Sequence, residues 1–548
     1  MTSQTLIVNG ACFLGTSDHR PTFAEAVLTN GGRIAAVGKV EDLRELVHVD
    51  ACEIDAGGML VLPGFVESHS HLLMLGESLV RPDLRAAQSL SDILHALQAH
   101  REAHPQMPRL VAGGWLFSAV PGGAPTAAML DEAFPDIPVY LTANDLHSVW
   151  VNTAALRELG VDATTLNPLG GHFGRDDDGE PNGMLFESAG MDFAWSFLAD
   201  NATPQDNEAA MRAAMQTYLE AGVTTVVDML FDERSWATLQ GIHEKDGKLP
   251  IQVFAYWGIP AAENVDACLV EVSTASERAQ DRSINGLQVI GIKIITDGVI
   301  DACTAAMVSP FTHGEHPEAI WSQDALTRVV SAADAAGLRI AIHAIGDHAS
   351  DIALNALELL PEGHAANHRI EHLEVVKPGN VERLARLGTT ASMQPVHADP
   401  AIQENWEAQV GPDRAANGYP WRDFEESGAR LVFGTDAPTA PSSPYDNLYV
   451  AATRASALDL SRGPIRPNRE VALADAIAHA TRDSADAIRN SSDAEMIGSL
   501  EVGARADIVI LSVNPFESGA RSLIGAAPYA VLRGGDLVHE RAAGSVTG

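Results

Sequence analysis

Lysine is scarce in this chain, and basic residues are outnumbered. Five lysines stand beside thirty-one arginines, and 73 acidic residues leave a formal net charge of −37. A surface of that sign repels the phosphates of nucleic acids and of anionic membranes, so we expect neither as a partner. The acidic excess needs no special partner, because charged side chains solvate an ordinary protein surface.

Cysteines and long apolar runs are also scarce. The four cysteines are scattered without a C-x-x-C pair, which favours a reduced intracellular set over a disulfide framework. The first ten residues, MTSQTLIVNG, lack the basic and apolar segments of a signal peptide. No run of about 18 apolar residues predicts a membrane helix. We therefore expect a cytoplasmic protein.

The middle of the chain alternates apolar strands with amphipathic segments. Eight such units indicate an α/β fold of the TIM-barrel type, a (β/α)8 barrel. The predicted strands are 61–71, 223–229, 251–257, 289–298, 338–347, 368–376, 389–397 and 430–436. The stretch between the first two is too long for one βα unit, so we expect an insertion after barrel strand one.

Both ends of the chain have short apolar segments separated by glycine-rich turns, which predict β-hairpins. We expect residues 1–62 and 498–548 to form one composite β-sandwich domain. The barrel then covers residues 63–497, with an inserted subdomain at about 76–210.

Polar residues stand at the ends of several predicted strands, where the chemistry of a barrel gathers. Strand one ends in His69-x-His71, whose imidazoles point the same way because side chains alternate along a strand. The complete set is His69, His71, Lys293, His343, His372 and Asp436. Four imidazoles and a carboxylate suit zinc or another borderline divalent ion, and they are enough for one ion or two.

Each member of this set has an ordinary alternative. His343 and His372 could be hydrogen-bonded core histidines, and Asp436 could cap the segment that follows it. Lys293 is harder to explain in this way, because it interrupts the apolar run VIGIKIITDG, where a bare ammonium is costly. The joint occurrence in barrel order favours a metal site.

Six motifs resemble those of the amidohydrolase superfamily, in particular its branch of YtcJ-like proteins and N-substituted formamide deformylases. They are VLPGFVESHSHLLMLG, GIKIITDG, IAIHAIGD, RIEHLE, SMQPVHAD and LVFGTDAP. In many members the strand-four lysine is carboxylated and bridges two metal ions. The resemblance implies that one ion is held by His69, His71 and Asp436, a second by His343 and His372, with a CO2-derived carbamate on Lys293 between them.

The resemblance also implies a reaction. Two divalent ions, zinc before manganese or iron, activate a water molecule that attacks a carbonyl or imine carbon. Asp436 would pass the proton to the leaving amine, and Trp115, His147 and His397 are candidates for contacting the substrate. We expect an enzyme that hydrolyses a C–N bond in a small amide, N-formyl or cyclic amide molecule. The resemblance also implies a possible homodimer.

Two other functions stay open. A hydrolytic deaminase of the same superfamily would use one metal ion and an unmodified strand-four residue. A catalytically silent binding protein would keep the barrel and lose one of the six polar residues, yet none is missing. A serine hydrolase has less support, because no G-x-S-x-G motif occurs.

Overall fold

The structure is a computed structural model that describes residues 4–144, 148–168, 171–262, 264–489 and 495–541. Two compact units make up the chain. One consists of Met1–Leu72 and Met215–Gly548, and the other is Leu73–Ala214. Among the helices in these described ranges, none has the length and apolarity needed to cross a membrane.

An eight-stranded parallel sheet forms the centre of the first unit, with its strands in chain order. They are β1 (Phe65–Ser70), β2 (Val223–Phe231), β3 (Gln252–Ile259), β4 (Leu287–Ile295), β5 (Arg339–Ala344), β6 (Arg369–His372), β7 (Thr390–Met393) and β8 (Arg430–Phe433). The ring closes where the Asp436 amide donates to the His69 carbonyl over 2.7 Å and the His71 amide donates to the Ala437 carbonyl over 3.0 Å. The predicted TIM-like barrel is confirmed.

Apolar residues on both faces of the strands explain why this sheet is buried. In β4 all residues are buried except Gln288 and Ile295, as expected for a strand with helices outside and side chains inside. The surrounding helices are amphipathic; one buries Leu326, Val329 and Val330 on a single face. The helices of this unit's barrel are Glu233–Asp246, Val265–Gln280, Gln323–Ala335, Asp347–Glu358, Pro378–Leu387, Gln403–Val410, Pro412–Ala415, Trp421–Glu426, Pro444–Thr453, Leu473–His479 and Arg482–Ile488.

Strands from both ends of the chain form two further sheets in the first unit. The four-stranded sheet has the order Arg33–Gly38, Ala26–Asn30, Gln4–Val8, Cys52–Asp55. The six-stranded sheet has the order Asp536–Glu540, Pro528–Arg533, Ile508–Leu511, Leu60–Pro63, Ala11–Ser17, Arg20–Ala24. One apolar core contains residues of both sheets, including Ile7 and Ile508, so the sheets form a β-sandwich. Two short helices accompany them, Val40–Arg44 and Pro515–Ser518.

The second unit has a five-stranded sheet of its own. Its strand order is Gly171–Arg175, Pro181–Glu187, Ser148–Val151, Val139–Ala143, Leu110–Trp115. The helices of this segment and its flanks are Leu72–Val80, Leu90–Ala103, Ala127–Asp131, Thr153–Leu159, Gly190–Trp195, Ser196–Asp200 and Pro204–Glu220. The predicted domain boundaries, 1–62 with 498–548, 63–497 and about 76–210, stay predictions.

Several predicted strands run past the observed ones, and three of the differences have a structural reason. The segment 61–71 is two strands, Leu60–Pro63 in the sandwich and β1 in the barrel, which separate at Gly64. The segment 389–397 ends as a strand at Met393, because Pro395 lacks an amide hydrogen and begins the short 3-10 helix Pro395–Ala398. Strand β8 likewise ends at Phe433, so Asp436 follows the strand instead of ending it.

Gly64 is the point where the chain passes from sandwich to barrel, and a side chain does not fit there. A Cβ at this position would lie 2.3 Å from Thr224 Oγ1 and 3.0 Å from Asp507 Cβ. We expect Gly64→Ala to lower the free energy of unfolding by about 1–3 kcal/mol through overpacking. Gly241→Ala is the matched control, since no atom lies within 4 Å of its added Cβ in the helix Glu233–Asp246. Equal denaturant midpoints for the two variants would contradict this account.

Candidate metal centre

The six polar residues singled out in the sequence meet at the carboxyl ends of the barrel strands. His69, His372 and Asp436 are buried, and each offers a ligand atom within 4.8 Å of the others. Around this triad, His71 Nε2 lies 3.0 Å from Asp436 Oδ1. Lys293 Nζ lies 3.4 Å from His69 Nε2. The ring of His343 is 4.3 Å from that of His372 between centroids.

Two of these side chains belong to residues whose backbone has a strained, positive φ. His372 is the last residue of β6 and has a φ of 75°, and Asp436, after β8, has a φ of 61°. Residues other than glycine seldom adopt this left-handed conformation, which persists where the surroundings impose it. The Asp436 amide donates to the His69 carbonyl over 2.7 Å, which holds this segment against the end of β1. Both side chains lie at the carboxyl ends of the barrel strands, where the histidines gather.

Burial keeps the imidazoles of His69 and His343 in the protonation state that a metal ion requires. Burial first, and then the charge of Lys293, lower the pKa of His69 to about 4 and that of His343 to about 3. Burial also lowers the pKa of Lys293 to about 8. Burial alone would raise the pKa of Asp436, but the nearby His69 and His71 hold it well below its usual range. Neutral imidazoles and an ionised carboxylate are metal-binding forms.

Two buried glutamates hold His69 in place. Its Nδ1 donates to Glu371 Oε2 over 2.7 Å, which leaves Nε2 facing Lys293 and Asp436. Its backbone amide donates to Glu67 Oε1, which also accepts from the Thr435 amide. A carboxylate behind a ligating imidazole fixes the tautomer and the ring direction. The site therefore has a rigid support on the side away from the open end of the barrel.

Sequence reasoning missed these supporting carboxylates. Besides Glu67 and Glu371, Asp228 accepts from the Leu72 amide, and Asp297 accepts from the Ile345 and Gly346 amides. A usable signal was present, because each acid interrupts or directly follows an apolar strand, as Lys293 does. An acid buried in a strand needs hydrogen-bond donors or a cation, which is a reason to place it at a site.

The three predicted substrate contacts lie in different parts of the chain. His397, on the short helix after β7, has Nε2 3.7 Å from Asp436 Oδ2 and Nδ1 3.7 Å from Glu374 Oε1. Trp115 is fully buried in the core of the second unit, and its indole donates to the Leu141 carbonyl over 2.9 Å. His147 lies outside the described residues. Their roles toward a substrate stay predictions.

The donor atoms of the cluster fit a divalent metal ion. Nδ1 of His372 is buried, lies 3.9 Å from Asp436 Oδ2 and has no hydrogen-bond partner within the described part of the chain. A buried polar atom without a partner costs about 1–3 kcal/mol. Imidazole nitrogens beside a carboxylate are the donors that zinc and similar ions bind. A bound metal ion would satisfy such atoms.

Comparison with known proteins decides the family. The sequence profile named Amidohydrolase family matches residues 53–539. The chain belongs to the amidohydrolase family. This amidohydrolase is 28% identical to Protein LONG AFTER FAR-RED 3 of Arabidopsis thaliana, over 97% of the chain and 91% of the relative. It is 28% identical to the YtcJ protein of Bacillus subtilis, over 94% and 96%. The N-substituted formamide deformylase of Arthrobacter pascens is 27% identical, over 93% of each chain.

Solved structures agree with this assignment. A metal-dependent hydrolase of Pyrococcus horikoshii superposes with a TM-score of 0.78 at 26% identity, over 95% of this chain and 99% of its own. The predicted family resemblance is therefore confirmed, as is the prediction of an enzyme. This amidohydrolase is a metal-dependent hydrolase, of the class that acts on carbon–nitrogen bonds other than peptide bonds.

The buried glutamate behind His69 should control how tightly metal is held. Glu371→Gln keeps the size of the side chain and removes the charge that orients His69 Nδ1, so we expect metal affinity to fall about 10- to 100-fold. Competition with a chelator measures this. Glu517→Gln, in the short helix Pro515–Ser518 of the sandwich, is the control and should retain wild-type affinity. Unaltered affinity in the Glu371 variant would show that the contact has no part in metal binding.

Proposed function

We propose that this amidohydrolase cleaves a C–N bond of an amide, N-formyl or cyclic amide small molecule at a binuclear metal centre bridged by carboxylated Lys293. The observation that supports it best is the convergence of the six candidate side chains, among them His372, whose buried Nδ1 lacks a hydrogen-bond partner among the described residues. The named activity of the Arthrobacter pascens relative, an N-substituted formamide deformylase, supports the bond class.

Two groups of residues would hold the metal. His69, His71 and Asp436 form the first, and His343 and His372 form the second, with the carbamate of Lys293 shared between them. When bound, the ions would supply a Lewis acid for the substrate oxygen and a water molecule of lowered pKa. Zinc is the first candidate for such donors, and manganese and iron are the others.

Asp436 is the residue proposed to move the proton. Its Oδ1 is 3.0 Å from His71 Nε2, and its Oδ2 faces His397 and His372 at 3.7 Å and 3.9 Å. The carboxylate would accept a proton from the attacking water and donate it to the departing nitrogen, which yields a carboxylic acid and an amine. His397, whose Nδ1 lies 3.7 Å from Glu374 Oε1, is the candidate for donating a hydrogen bond to the substrate oxygen.

A mononuclear hydrolytic deaminase is the second candidate. One observation favours it: the compact triad His69, His372 and Asp436 combines members of both proposed groups and offers three ligands for a single ion. Metal analysis of the purified protein separates the two functions. A screen of N-formyl amines, N-acyl amino acids and cyclic amides, with released amine as the readout, then tests the bond class.

Removal of the bridging lysine should remove metal. We expect Lys293→Ala to lose most bound metal and turnover, since a carbamate on Lys293 would help to hold the metal, and short carboxylic acids should partly restore both. Lys377→Ala is the control, because Lys377 pairs with Asp351 at a helix start and not with the cluster. Metal content and turnover equal to wild type in the Lys293 variant would rule out the bridge.

Removal of the proton carrier should stop turnover. We expect Asp436→Asn to slow amine release by at least about a hundredfold, because an amide cannot accept the proton from water. Metal content is measured in parallel to separate loss of a ligand from loss of the proton transfer. The exposed Asp459→Asn serves as the control. Full activity of the Asp436 variant would remove the residue from the mechanism.

A further inference from the structure

The inner face of the barrel has exposed apolar positions next to Lys293 and His343. In the strand register, Gly258 of β3 pairs with Lys293, and Ile295 of β4 pairs with His343. Paired residues of neighbouring strands present their side chains on the same face of a sheet. Gly258 and Ile295 therefore face the barrel interior together with the two proposed metal-binding residues.

Leu230 of β2 completes this apolar surface. A Cβ on Gly258 would lie 3.1 Å from Leu230 Cδ1, so the leucine side chain lies across the glycine on the interior face. Leu230, the last residue but one of β2, is 41% exposed, and Ile295, the last residue of β4, is 36% exposed, although both strands are otherwise almost wholly buried. We name Leu230, Gly258 and Ile295 the apolar wall. Exposed apolar side chains beside reactive groups are a usual means of recognising an apolar substituent.

The opposite side of the ring is polar. Asp436 follows β8, and His397 and Glu374 follow β7 and β6. His397 lies 3.7 Å from each of the two carboxylates. In a ring of eight strands, β4 stands opposite β8. A substrate at the centre therefore has the proton carrier on one side and the apolar wall on the other.

We propose that the apolar wall binds the acyl substituent of the substrate, and that this substituent is an apolar group of several carbons. The inference rests on the proposed function. In that function the departing nitrogen takes its proton from Asp436, so it must lie on the β8 side of the barrel. The group attached to the carbonyl carbon then extends toward β2–β4. This narrows the substrate class to amides of apolar carboxylic acids, cyclic amides included. A formamide, whose carbonyl carries only hydrogen, leaves the wall unused.

Straight-chain hydroxamic acids test the wall without requiring turnover. Calorimetric titration of the metal-loaded full chain compares the series from acetohydroxamic to octanohydroxamic acid. Each added methylene should tighten binding about three- to fourfold until the wall is covered. The reversed series, N-alkyl-N-hydroxyformamides, carries the chain on nitrogen and should show no such gain.

Substitutions assign the effect to the wall. In Leu230→Ser and Ile295→Ser we expect octanohydroxamic acid to lose most of its advantage, while the affinity for acetohydroxamic acid and the metal content stay at the wild-type level. Leu359→Ser is the matched control, since Leu359 is 69% exposed just beyond the outer helix Asp347–Glu358. Its binding profile should equal that of the wild type, and thermal melting checks that each variant is folded.

The outcomes separate this inference from the proposed function. Binding of acetohydroxamic acid without any gain along the acyl series overturns the wall and leaves the metal centre intact. A gain along the acyl series that survives both substitutions, or a gain only in the reversed series, also overturns it. A protein that takes up no metal and binds none of the hydroxamic acids overturns the metal centre together with the wall.

Discussion

One buried contact orients the whole site: His69 donates to Glu371 over 2.7 Å, with both side chains inaccessible to solvent. It fixes which nitrogen of His69 faces the centre, and Lys293 and Asp436 are both arranged around that nitrogen. Arg369 stabilises the glutamate; burial alone would raise the pKa of Glu371, but the guanidinium and His69 hold it below its usual range. Removing one partner of such a buried charged pair is strongly destabilising, because the other charge then stays buried without compensation.

Barrel closure and the metal centre depend on the same residues. Glu67 accepts hydrogen bonds from the amides of His69 and Thr435, and so joins the end of β1 to the segment after β8. Gly434 fits between them only because it lacks a side chain, since a Cβ there would lie 2.5 Å from the His69 amide nitrogen. The ring closes at the point where His69, His71 and Asp436 meet. Structural and chemical requirements therefore constrain the same short segments.

The sequence predicted the barrel and the six central residues because their signals are local. Alternation in the predicted first strand, 61–71, directs His69 and His71 to one side. An isolated Lys293 in an apolar run calls for an explanation. The break at Gly64 was not predictable in this way, because one apolar run serves a sandwich strand and a barrel strand in succession. The apolar wall needs the register between strands, which the sequence of one strand does not contain. The substrate roles of Trp115, His147 and His397, the dimer and the cytoplasmic location stay predictions.

The central claim is a pair of metal ions joined by a modified Lys293. A crystal structure of the metal-loaded protein, with anomalous scattering recorded at the absorption edge of the bound metal, tests it most directly. The account predicts one anomalous peak beside His69, His71 and Asp436, a second beside His343 and His372, and density for a carbamate on Lys293 Nζ between them. A single peak next to an unmodified lysine amine, or no peak at this cluster, would contradict it.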